Sequence, residues 1–110
     1  MPQTYKVLGQ SAPAANTTAN VYTVPAATQA VVSSIIITNR NTSANVTYRL
    51  AVQPAGAAIA NQHYIAYDST VTALDSIALS LGVSMGNTDV LSVYSANANV
   101  SFSVFGVEIT

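Results

Sequence analysis

The chain has a single histidine, His63, and very few charged side chains: Lys6, Arg40, Arg49, Asp68, Asp75, Asp89 and Glu108. Any chemistry that needs a histidine or a charged side chain must be drawn from this set. A hydrolytic triad would need His63 oriented by a carboxylate, with Asp68 nearest in sequence, and a serine nucleophile. The Gly-x-Ser-x-Gly turn that presents such a serine does not occur. Glycoside hydrolysis would need two carboxylates flanking one bond. Asp68, Asp75 and Asp89 instead stand at turn or strand-start positions, where aspartate bonds the local backbone. No acidic cluster offers the converging oxygens of a calcium loop, and cysteine is absent. The residues therefore predict no enzyme, with no catalytic side chain, metal or cofactor.

What remains with recognition potential is aromatic. Tyr5, Tyr22, Tyr48, Tyr64, Tyr67 and Tyr94 are spread along the chain. Tyr64 and Tyr67 differ in parity, so a regular strand cannot turn both inward and one of them is expected at the surface. Exposed tyrosines serve as interface anchors or as platforms for sugar rings. His63 beside them reads as a packing or interface residue. Near the amino terminus Tyr5, Lys6 and Val7 lie in a stretch, residues 1–10, that is predicted as an arm reaching a neighbouring subunit. The candidate interface residues are thus Tyr5, Lys6, Val7, His63, Tyr64 and Tyr67. The Asn-x-Ser/Thr triplets at Asn16, Asn41, Asn45 and Asn99 are chance products of a chain rich in these residues.

Alternating and continuous apolar runs must position these groups. Val46 to Val52 alternates strictly, with Arg49 on the polar row, and Asp75 to Leu81 repeats the pattern. Val31 to Thr38 is nearly continuous and predicts a central strand covered on both sides. Asp89 to Ser95 is a further strand, with weaker ones at Tyr5 to Gln10, Asn20 to Val24 and His63 to Tyr67. In Asn99 to Ile109 the apolar residues change parity between Val104 and Phe105, which predicts a bulge or twist near Gly106. Pro54 to Gln62 admits a single helical turn. About eight short strands in 110 residues predict one antiparallel two-sheet sandwich domain spanning 1–110, all-β, either jelly roll or immunoglobulin-like.

Composition narrows the function. Charged residues make up 6% of the chain and hydrophobic ones 50%, against roughly 25% charged in an ordinary soluble domain. A subunit with a net charge of −1 does not keep itself apart from its neighbours by repulsion, so much of its exterior is expected to be covered. Three basic residues that do not cluster exclude nucleic acid as a partner. No apolar run is long enough to span a bilayer, which excludes a membrane-spanning helix. The sequence opening Met1-Pro2-Gln3-Thr4 carries no secretory signal, so residence in the cytoplasm is expected.

Four segments carry a resemblance: Lys6-Val7-Leu8-Gly9-Gln10, Val21-Tyr22-Thr23-Val24-Pro25, Val31 to Asn39, and Val104-Phe105-Gly106-Val107-Glu108-Ile109. In these the chain resembles small β-sandwich virion proteins of tailed bacteriophages, particularly those infecting cyanobacteria and marine bacteria. The resemblance implies a capsid cement or decoration protein, made in the host cytoplasm and located in the virion. Its partners would be itself, as a homotrimer, and the major capsid protein. Two other readings are carried with it: a tail-fibre or baseplate module that binds a host-surface glycan, and a bacterial surface or pilus-like subunit.

Overall fold

The computed structural model describes residues 2–110. Eight strands form in chain order: β1 (Gln3–Ser11), β2 (Thr17–Thr23), β3 (Gln29–Asn39), β4 (Val46–Gln53), β5 (Tyr64–Val71), β6 (Ser76–Met85), β7 (Val90–Ser95) and β8 (Val100–Ile109). Most are rich in Val, Ile, Tyr, Phe and Thr, whose branched or flat side chains suit a pleated, half-buried surface, while β6 rests on alternation of Ile77, Leu79, Leu81 and Val83 with small residues. Two four-stranded sheets result, ordered β1-β8-β3-β6 (sheet A) and β2-β7-β4-β5 (sheet B), and every strand pairing is antiparallel. Only the β4–β5 connection stays within one sheet; each of the others crosses the sandwich. This is the strand order of a jelly roll, in which doubled Greek keys bury one face of each sheet against the other.

The core lies between the sheets. Val32, Ile35, Ile37, Phe102 and Val104 from sheet A meet Val46, Tyr48, Leu50, Leu91 and Val93 from sheet B. Tyr48 and Phe102 contact edge to face across the sandwich, with ring centroids 6.4 Å apart.

The parity change expected as a bulge in β8 has a different cause. Val100, Phe102, Val104 and Gly106 are all buried, so the strand alternates without a break. Phe105, Val107 and Ile109 form its other row and face outward. The register shifts lie in the partners: one extra residue in β1 between Val7 and Gly9, and one in β3 between Val32 and Ser34. Ser33 is the extra residue of β3, and its hydroxyl donates to the Phe105 carbonyl at 3.2 Å. Gly106 serves close approach: a Cβ there would collide with the carbonyl oxygen of Val31 on the neighbouring strand.

β3 is interior to its sheet but is covered on one side only. Its inward row is buried, whereas Val31 and Ile36 on the outward row are half-exposed. The stretch after Pro54 forms two short 3-10 turns, Pro54–Gly56 and Asn61–His63. Residues 3–10, expected as an arm, lie in β1 and pair with β8 along its length as an edge strand. Met1 lies outside the described residues.

Candidate functional site

Sheet A presents an apolar outer face. Register places Tyr5 beside Val107 and Val7 beside Phe105 on one flank of β8, with Val31 beside Val107 on the other. Tyr5 is 80% exposed and Val7 47%. Phe105, Val107, Ile109, Val31 and Ile36 are half-exposed around them. β6 completes the face with Ala78, Ser80 and Ser84. Among the described residues of these four strands, no charged side chain shares this row. Apolar surfaces of this kind are the type that contacts between macromolecules use.

Lys6, one of the candidates beside Tyr5, is on the opposite parity and belongs to a different construction. Its ammonium lies 3.1 Å from Glu108 Oε1. Glu108 Oε2 accepts a hydrogen bond from the Tyr22 hydroxyl at 2.6 Å, joining β8 of one sheet to β2 of the other. That donated bond holds the Glu108 carboxyl below its ordinary range against the opposing effect of burial, and Lys6 adds to it. Burial, reinforced by the carboxylate, pushes the Tyr22 hydroxyl upward. A depressed carboxyl stabilises the fold above its unfolded value, near 4.3, and the contribution is lost as pH falls through the folded value. A raised tyrosine contributes below its unfolded value, near 10, and loses the contribution as pH rises. Stability is therefore expected to decline below about pH 4 and above about pH 10. In urea titrations between about pH 5 and pH 3, Glu108→Gln should flatten the acid decline of the midpoint; an unchanged decline would place the acid sensitivity elsewhere.

The other tyrosine pair sits on the outer face of sheet B. The β4–β5 register slips twice: Leu50 pairs with Ala66, but Ala51 pairs with Tyr64. Ile65 is thus extra, and this restores Tyr64 to the face that Tyr67 occupies. A second irregularity falls at Asp68, whose φ of 52° is left-handed, a conformation aspartate tolerates better than most residues. The two rings meet at 86° with centroids 4.9 Å apart. The Arg49 guanidinium stacks 4.2 Å from the Tyr67 centroid and 4.4 Å from that of Tyr94. Asp68 holds it from the side at 2.7 and 3.4 Å, and this bond raises the arginine's pKa still further. Tyr94 in turn donates its hydroxyl to Asn16 Oδ1 at 2.9 Å. A ladder of Tyr64, Tyr67, Arg49, Tyr94 and Asn16 therefore crosses sheet B from edge to edge.

His63 ends a 3-10 turn and is not in the strand expected for it. Its Nδ1 accepts the Ala60 amide at 3.0 Å, closing that turn. Asp68 is engaged by Arg49, so no His–Asp pair is assembled. Asp75 accepts from the Ser76 amide and the Thr72 hydroxyl, and Asp89 from the amides of Gly86 and Ala55. These two carboxylates shape turns, as their sequence positions predict. Asn41 and Asn45 also accept backbone amides. Among the described residues, no group of three His, Cys, Asp or Glu side chains could hold a metal ion.

Four of the six candidates divide between two opposite faces. Tyr5 and Val7 lie on the outside of sheet A, and Tyr64 and Tyr67 on the outside of sheet B. Lys6 and His63 are tied into intramolecular contacts. Phe105, Val107, Arg49 and Tyr94 were not among the candidates. The outward apolar row of β8 was visible in the sequence as its parity change.

No family model and no curated protein matches the sequence. Among solved structures, a chain in the structure of infectious bursal disease virus, Gx strain, superposes with a TM-score of 0.53 at 8% identity. The match takes in 97% of this chain and 31% of that one, so this domain spans less than a third of the chain it matches. At such low identity the likeness is one of fold: this eight-stranded sandwich is similar to one portion of a chain from a virus particle.

Proposed function

We propose that the chain is a structural subunit of a virion. Within that class it acts as a capsid cement or decoration protein of a tailed bacteriophage, seated as a homotrimer between major capsid protein subunits. The observation that carries this reading is the outer face of sheet A, where Tyr5, Val7, Phe105, Val107, Val31 and Ile36 form an apolar surface, with Arg40 bonded to Ser101 at the opposite end of β8. Burial of apolar surface is worth about 25 cal/mol per Å², and a partner that covers this face gains that term without desolvating an ion. The shortage of charge over the whole chain and the likeness in fold to a virus-particle chain support the same reading. The amino-terminal residues take part through the outward side chains of an edge strand. Binding only the assembled lattice shifts the equilibrium toward it, which is how such a subunit reinforces a shell.

Light scattering on the purified chain should give three times the 11.3 kDa of one copy, and particle-bound copies should number in the hundreds. A monomer that stays soluble at millimolar concentration and ignores assembled shells would overturn the reading. Copy numbers of tens or fewer would favour a tail-fibre or baseplate module instead.

A further inference from the structure

We propose that the cleft framed by Tyr64, Tyr67 and Asn61 binds a neutral pyranose ring of a glycan. The cleft has a volume of about 410 Å³ and is lined by those three residues. That lies toward the small end of ligand sites, about 300–1,000 Å³, and suits one or two sugar rings. The two tyrosine rings stand at a right angle, and Tyr67 is 57% exposed.

The lining matches both sides of a pyranose. One face of such a ring is a patch of C–H bonds carrying slight positive charge, which complements the negative face of an aromatic ring. Its rim is hydroxyl, and needs donors and acceptors together. The Asn61 amide supplies both, as do the two phenols. Charge selects a neutral sugar: the neighbouring cation, Arg49, is already neutralised by Asp68 and stacked on both sides.

The site is built before any ligand arrives. Arg49 clamps Tyr67 from one side and is itself fixed by Tyr94 and Asp68. Ordering side chains is a principal cost of binding, and here the ladder has met it in advance. The inner packing of sheet B has no need of these aromatics, since Leu50 and Val46 fill that role from the opposite row of β4. The register slip at Ile65 is what brings Tyr64 and Tyr67 together; a regular strand would separate them. The cleft also lies on the face opposite the apolar surface of sheet A, so covering one leaves the other open. The inference therefore goes beyond the shell role and does not rest on it.

The test is a ¹H–¹⁵N NMR titration of the full chain with the methyl glycosides of glucose, galactose, mannose and N-acetylglucosamine. At least one should produce saturable shifts at Asn61, Tyr64 and Tyr67, with a Kd on the order of 1 mM or tighter. Tyr67→Ala should weaken that binding about tenfold or more, and Tyr67→Phe should keep the Kd within about threefold. Asn61→Ala, in an exposed turn where folding is not at stake, should also weaken it. Absence of saturable shifts at tens of millimolar for all four glycosides would overturn the proposal. So would shifts confined to other surfaces, or undiminished binding by both alanine variants. Subunit mass is read separately, so failure here is distinguishable from failure of the shell assignment.

Discussion

Replacing Asn39 with leucine is expected to cost roughly 2–4 kcal/mol, from one buried backbone group at about 1–3 kcal/mol and two part-buried ones at the low end of that range. Asn39 closes β3 and is 1% exposed. Its Nδ2 donates to the carbonyls of Ala44 and Val71 at 3.0 and 3.1 Å, and its Oδ1 accepts the Asn41 amide at 2.9 Å. One side chain thus satisfies the turn leading to β4 and the end of β5. Leucine fills similar space but answers none of those groups, and the Val71 carbonyl is buried away from water. Set against a total of about 5–15 kcal/mol for a domain, the loss is a large fraction. Urea unfolding followed by circular dichroism measures it, and a change below about 1 kcal/mol would show that the three groups find other partners. Asn39→Asp keeps the acceptor and aims a carboxylate at two carbonyls. It should be destabilising at neutral pH and recover in part as the acid protonates.

Asn39 also illustrates what the sequence could and could not disclose. Its place at the end of a continuous apolar run was legible, since Val31 to Thr38 lies within β3 almost residue for residue. Its bond to Val71 was not, because Val71 belongs to a strand of the opposite sheet. The same divide runs through the molecule. Alternation in Val46 to Val52 located β4 and placed Arg49 away from the core, yet the stack between Tyr67 and Tyr94 arises from strands distant in sequence. Apolar residues at Phe105, Val107 and Ile109 read equally well as a slipped core row or as an outward row. Only the pairing with β1 and β3 distinguishes them. Tyr64 and Tyr67 were separated by a parity rule that holds for regular strands, and the extra residue at Ile65 suspends it. Jelly roll and immunoglobulin-like sandwiches share the same local patterns. The order β1-β8-β3-β6 that separates them is a matter of long-range hydrogen bonding.

Val107→Lys is expected to leave the subunit folded and to weaken its assembly by about 100-fold or more, equivalent to about 2.8 kcal/mol. Val107 lies on the outer face of sheet A, on the interior strand β8 between Tyr5 on β1 and Val31 on β3. Being half-exposed in the single subunit, it can carry a lysine whose ammonium reaches water along its own stem. Covering the face removes that water. An ammonium buried without a partner costs several kcal/mol, and the neighbouring Phe105, Val7 and Val31 offer it no side-chain acceptor. Thr18→Lys adds the same charge to sheet B, at an exposed position on β2, and should leave assembly within about threefold of the original. Light scattering gives the assembled mass, and thermal unfolding under the same conditions reports the fold. Loss of assembly in Val107→Lys alone, with unfolding temperatures matched, assigns the interface to sheet A. Equal assembly in both variants removes that face from the contact. A pair of lysines that differ only in the sheet they occupy thus separates an effect of local burial from one of net charge, the confusion to which a chain with so few ions is most open.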